Sequence, residues 1–197
     1  VVGVCGYLFP EGSGTIDTTF FLKRRVPYGY GFWRDKEVIL DKAKGALSRL
    51  ALKDWQTFML LTKETPHLAR SLPFIVEGDF SPWDMQTSIV MRVLGLYALY
   101  PSVSLTRNIG LDGSGLNCYA DSEIQGQVIG DEIVTVVKQD CISENRKYSN
   151  LLTKRWAKKG DFLVNAIIFL LYNYIPGFYF VYQRFWKLYR ILRRRLV

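Results

Sequence analysis

Apolar and polar positions change period several times along the chain, and each change predicts an element. Val1 to Phe9 is largely apolar and predicts a strand, with a turn at Pro10 to Gly14. Thr18 to Leu22 predicts a second short strand, and Arg24 to Trp33 a loop rich in glycine and aromatics. From Arg34 to Leu52 the pattern becomes helical, with Val38, Ile39, Ala43, Ala46, Leu47 and Leu50 near helical spacing. Asp54 to Lys63 predicts another helix, ended by Pro66, and Leu72 to Val76 a short strand or extended link. Ser81 suits the N-cap of a third helix and Pro82 its first position, with Ile89, Val90, Val93 and Leu94 carrying it toward Gly95. Tyr97 to Tyr100 predicts a strand before Pro101, Glu132 to Lys138 alternates like a strand, and Glu144 to Lys159 predicts a helix. The chain has no internal repeat and no low-complexity segment.

The tail breaks this rhythm. Phe162 to Gln183 carries no charge, and its length is near the roughly 20 residues that span a bilayer. Asn165, Asn173 and above all Pro176-Gly177 interrupt it. Phe178 to Val197 then predicts an amphipathic helix, with Phe185, Leu188, Tyr189, Leu192 and Leu196 on one side and Arg184, Lys187, Arg190, Arg193 and Arg194 on the other. Such a helix suits the headgroup region of an anionic leaflet. The alternatives are a segment that spans the membrane and a helix packed on its own domain with a solvated basic face.

Charge sharpens this division. The chain of 197 residues carries a net charge of +8. Residues 1–150 hold 16 basic and 17 acidic side chains, whereas residues 151–197 hold 10 basic and one acidic. The basicity therefore belongs to the tail and points to a negatively charged surface. The basic residues share their helix with a strongly apolar face, so no nucleic-acid partner is expected. The pattern divides the chain into a body, 1–142, and a helical tail, 143–197.

With 49% hydrophobic residues, the chain can build a real core. It opens Val-Val-Gly-Val like the middle of a buried strand, with no Met and no signal-peptide pattern, so further sequence is expected upstream. Cys5, Cys118 and Cys141 are odd in number and widely spaced, which argues against zinc and a disulfide framework and for a reducing compartment. His67, the single histidine, follows Pro66 in a stretch with no other site signal and is expected to be structural.

The densest polar chemistry lies in Leu99 to Cys118, where Arg107, Asn108, Asp112 and Ser114 stand among Gly110, Gly113 and Gly115. Glycines let backbone approach a ligand, and Asn, Asp and Ser offer hydrogen-bonding groups there. A site loop and a plain surface turn are both compatible with the pattern. In order and spacing, Gly29-Tyr-Gly-Phe-Trp33, Trp83-Asp84, Leu99-Tyr-Pro101 and Arg107-Asn-Ile-Gly-Leu-Asp-Gly-Ser-Gly115 with Cys118 resemble the C-terminal half of family 2 glycosyltransferases. The closest group is the bacterial sugar transferases of surface-polysaccharide assembly, and the resemblance covers roughly residues 1–120. It implies an α/β fold: the acceptor-side half of a GT-A, Rossmann-like domain, followed by C-terminal amphipathic helices.

It also implies an inverting enzyme that moves a sugar from a nucleotide-sugar donor to an acceptor hydroxyl, that of a lipid-linked saccharide, at the cytoplasmic inner face of the cell membrane. A divalent metal, Mg or Mn, would be held through a D-x-D in the N-terminal half, which this sequence lacks. Glu77-Gly78-Asp79 is acidic-x-acidic but lies too late in the chain and fits a polar turn. Asn117 stands where the family often has histidine, which weakens any metal role at that position.

Individual residues carry the chemistry. A carboxylate at a helix N-terminus is kept ionised by the dipole and can act as base on a hydroxyl, which singles out Asp84. The Ser81-x-x-Asp84 spacing equally fits a capping box. Trp83, Trp33, Tyr28 and Tyr30 can stack on sugar faces or simply pack. Arg107 can pair with a diphosphate or with a structural carboxylate, and Asp112, with Ser114 beside it, can bind a substrate hydroxyl or cap its own turn. The rival class is a non-catalytic, membrane-associated module that binds glycans or anionic lipid.

Overall fold

The computed structural model describes residues 1–10, 17–80, 82–111, 129–130, 136 and 141–195. It is a mixed α/β structure, with a small four-stranded sheet and seven helices among the described residues. The strands are β1 (Gly3–Cys5), β2 (Phe20–Leu22), β3 (Tyr30–Phe32) and β4 (Ala98–Tyr100), in the order β2-β4-β1-β3. β1 runs parallel to β4, and the two outer pairings are antiparallel.

The first strand is shorter than its apolar run predicts. Beyond Cys5 the chain stays extended and buried, but side chains replace a neighbouring strand. The Leu8 N–H donates to Ser104 Oγ at 3.0 Å and the Phe9 N–H to Tyr148 Oη at 2.8 Å. The expected loop from Arg24 to Trp33 contains β3, because Tyr30-Gly31-Phe32 pairs with Cys5-Val4-Gly3. Gly3 makes that approach possible: a Cβ there would lie 2.7 Å from the Phe32 ring.

The helices are α1 (Arg34–Lys53), α2 (Trp55–Glu64), α3 (Pro66–Val76), α4 (Trp83–Val93), α5 (Arg146–Trp156), α6 (Asp161–Tyr174) and α7 (Phe178–Arg195). α1 sits where the period predicts it but turns a different face inward. Leu40, Ala43, Leu47 and Ala51 form the packed seam, while Val38, Ile39 and Leu50 are exposed. Two apolar stripes overlap in that helix, and packing on α4 selects one of them.

Leu72 to Val76 is not a strand: it completes α3. Pro73 lies near the end of that helix, where a missing N–H removes one bond only, and Leu68, Ala69 and Leu72 are all buried. α4 begins one residue later than expected. Pro82 is extended at the cap position and Asp84 is the second helical residue. Proline has no N–H to give, so a capping box closed on this N-cap is impossible. The predicted strand at Glu132 to Lys138 lies outside the described residues except for Val136, which is exposed.

Two cores result. Val2, Leu22, Leu40, Val90, Tyr100 and Tyr148 pack around the sheet, and Leu52, Phe58, Leu61, Leu72, Ile89 and Phe169 among the helices. Arg92 ties the helices to the sheet: its buried guanidinium pairs with Glu64 of α2 and, at 3.3 Å, with Glu144 beside β2. Glu144 also accepts the Lys23 N–H of the chain leaving β2 at 3.2 Å. α6 docks on α2 and α3 through Phe169, whose ring lies 5.1 Å from both Trp55 and Phe58. Pro176 and Gly177, the latter at φ 76°, then turn the chain into α7. No helix among the described residues is long and apolar enough to cross a membrane.

Candidate functional site

The site grows from the two arginines that follow β2. Arg25 is pinned. Its N–H donates to Ser88 Oγ at 3.1 Å, and its Nη1 reaches both carboxylate oxygens of Glu37 at 3.0 Å. Its guanidinium carbon lies 4.1 Å from the Tyr30 ring centroid and 3.9 Å from that of Phe32, and it also packs on Trp83. Burial lowers the pKa of Arg25 and, opposed by that arginine, raises that of Glu37. Trp83 and Tyr30, whose rings stand 5.5 Å apart, thus spend their inner faces on a cation.

Beside this stack lies a pocket of ≈ 130 Å³ lined by Phe9, Arg24, Tyr28, His67, Asp84, Ser88 and Trp156, among others. Five segments meet there: the run after β1, the aromatic loop, α3, the first two turns of α4 and the end of α5. Arg24 is 6% exposed and stacks on Trp156 at 4.6 Å. Among the described residues its Nη2 has no hydrogen-bond partner. Burial, helped by the charge of Arg92, pushes its pKa down to about 10, so it remains a cation near neutrality. His67 lies on the same wall, 5.2 Å from the Trp156 ring. Burial and then the charges of Arg24, Arg70 and Arg92 push its pKa down to about 3, so it is neutral near pH 7.

The pocket thus combines a half-buried carboxylate on the first turn of a helix, a half-buried tyrosine and a buried guanidinium. Asp84 can accept a proton from a hydroxyl, Tyr28 can orient a ring, and Arg24 can balance negative charge. The donor set does not fit a divalent cation: among the described residues Asp84 is the only carboxylate lining the pocket, and it shares that lining with two guanidiniums. Among the described residues no group of three or more His, Cys, Asp or Glu side chains could hold a metal ion.

Of the residues expected from sequence, Asp84 and Tyr28 line the pocket, and Trp83 and Tyr30 border it through Arg25. Trp33 does not belong. It caps α1, is 56% exposed and donates its N–H to the Val2 carbonyl at 3.2 Å. Arg107 is exposed before a short 3₁₀ turn and does not line the pocket. Asp112 and Ser114 lie outside the described residues. Glu77 and Asp79 flank a glycine turn as expected and also latch the tail: Tyr172 bonds Glu77, while Tyr179 and Gln183 bond Asp79.

Sequence reasoning passed over Arg24 and Trp156 and set His67 aside as structural, although it lies on the pocket wall. The paired arginines directly after an apolar strand were the available signal for Arg24. Nothing local marks Trp156, which reaches the pocket from the far end of the chain. No family model matches the chain, and no match was found among curated proteins or solved structures.

Proposed function

We propose that this chain is the acceptor side of an inverting, GT-A-type family 2 sugar transferase. The donor is a nucleotide-sugar, and the acceptor is a saccharide hydroxyl, carried on a lipid at the cytoplasmic face of the membrane. The observation that carries the reading is Asp84, held on the first turn of α4 in a pocket with Tyr28 and Arg24. Asp84 removes the proton as the acceptor oxygen attacks the anomeric carbon; the bond from that carbon to the donor's diphosphate oxygen breaks, and the nucleoside diphosphate leaves with the electron pair. Arg24 balances charge at the pocket wall, and Tyr28 packs on the sugar ring.

The test uses the natural gene product that carries this sequence, with labelled nucleotide-sugars and saccharide acceptors. Asp84→Asn is expected to lose at least about a hundredfold in turnover while acceptor binding persists. Near-unchanged turnover would sink the reading.

The exposed apolar faces of α6 and α7 favour a second one, a membrane-associated module that binds glycan or lipid without turnover. Binding by the unaltered protein with no transfer from any donor would establish that alternative.

A further inference from the structure

The tail exposes apolar surface that the body does not cover. On α6, Leu163, Ile167, Leu170 and Tyr174 recur at helical spacing on the face turned away from α2 and α3, and each is exposed. On α7, the face carrying Phe178, Tyr182 and Trp186 packs with Phe74 of α3. That leaves Val181, Phe185 and Leu188 in solvent. The two helices diverge from the Pro176-Gly177 turn around a cleft of ≈ 660 Å³, lined by Val164, Ile167, Val181 and Phe185, with Lys158 and Lys159 beside them. Two exposed stripes flanking one apolar cleft make a patch that a solitary soluble protein seldom carries.

Charge decides what covers it. Lys158, Lys159, Arg184 and Lys187 are exposed on these segments. Asp161 is the only acidic residue in 151–197, and it is buried in an ion pair with Arg70. A second copy docked symmetrically would bring its own cations against these. A nucleic acid would leave the leucines and phenylalanines uncovered.

We infer that α6 and α7 together form a two-limbed membrane-docking face, seated in the headgroup layer of an anionic phospholipid bilayer with acyl chains entering the cleft. Sequence periodicity points to the second limb alone. α6 has too few polar positions to look amphipathic, and its lipid-facing stripe emerges only once Asn165, Phe169 and Asn173 are seen packed inward. The lysines and arginines bind lipid phosphates and the stripes insert shallowly, without spanning. This surface is independent of the proposed chemistry at Asp84.

The experiment is co-sedimentation of the full chain with vesicles of phosphatidylglycerol and phosphatidylcholine, and with vesicles of phosphatidylcholine alone. The unaltered chain binds the anionic vesicles, and the binding weakens as salt rises. Leu163→Gln/Ile167→Gln/Leu170→Gln and, separately, Phe185→Gln/Leu188→Gln each reduce partitioning by about tenfold or more. All five side chains are exposed, so circular dichroism is expected to be unchanged. Hydrogen exchange on the unaltered chain gives a second readout, with slowed exchange in both Asp161–Tyr174 and Phe178–Arg195 when anionic vesicles are added. The inference is overturned by no binding to anionic vesicles, by an α6 variant that binds normally, or by lipid-free dimers that the α6 variant dissociates.

Discussion

The body and the tail treat the same residue types in opposite ways. Within the body, large apolar side chains such as Phe58 and Leu72 are fully buried, and the buried cations Arg25 and Arg92 each meet carboxylates. Along α6 and α7, Phe185 is 63% exposed and Leu163 is 64% exposed, while Asp161, the one acid of 151–197, is hidden. Burial of apolar area drives folding, and a buried charge is tolerated when it is paired. The body meets both conditions internally except at Arg24, whose buried guanidinium rests on the Trp156 ring and makes no ion pair among the described residues. Along α6 and α7 they are met only in part, through Phe169 and Tyr182, which pack on the helical core and on α3, and through the Asp161–Arg70 ion pair. The difference teaches that hydrophobic content alone does not tell a core helix from a docking helix. Which side of each helix the body occupies does.

The sharpest way to break this comparison is a pair of identical truncations on its two sides. Phe169→Ala empties a core position and is expected to cost about 3–5 kcal/mol in urea unfolding. Phe185→Ala is expected to stay within about 0.5 kcal/mol of the parent. Equal losses would show that α7 is packed in solution and that the contrast is false.

A somewhat smaller effect tests the pairing of charges in the body. Arg92→Met strands Glu64 and Glu144 beside a new apolar side chain, and a loss of about 3 kcal/mol is expected by the same measurement. A stable variant would mean that these carboxylates find water or protons at little cost.

The smallest effect is graded by pH. His67 titrates at about 3 in the folded chain against an ordinary 6.5. The unfolded chain therefore binds more protons through that window, and the contribution of His67 is fully present above it. Stability should fall as pH drops below about 6.5, by about 1 kcal/mol per pH unit from this group. His67→Phe should flatten that slope over pH 6.5 to about 5, before the carboxylates titrate. An unchanged slope would remove His67 as its cause.

Much of the fold was legible because it depends on local pattern. α1, α2 and β4 lie within a residue or so of where their periodicity puts them. Asp54 caps α2 by accepting the Thr57 N–H at 2.7 Å, as an aspartate before an amphipathic run should. The failures share one physical cause, which is that contacts remote in sequence outweighed local preference. Packing turned α1 onto another stripe, and burial kept Pro73 inside α3. Pairing with β1 made a strand of Tyr30 to Phe32, a segment that glycine content alone marks as loop. The candidate site was half legible for the same reason. Asp84 and Tyr28 announce themselves by helix position and aromatic context. Arg24, His67 and Trp156 converge from three distant segments, and only the folded arrangement brings them together.

The shared helix α3 has a consequence for reach. His67 lines the pocket and Arg70 lines the tail cleft, three residues further along one helix. Three residues of α-helix rise roughly 4.5 Å. Under the docking inferred above, the depth of the tail in a lipid surface would also set how far the pocket stands from that surface, so that the tail would serve as a ruler as well as an anchor.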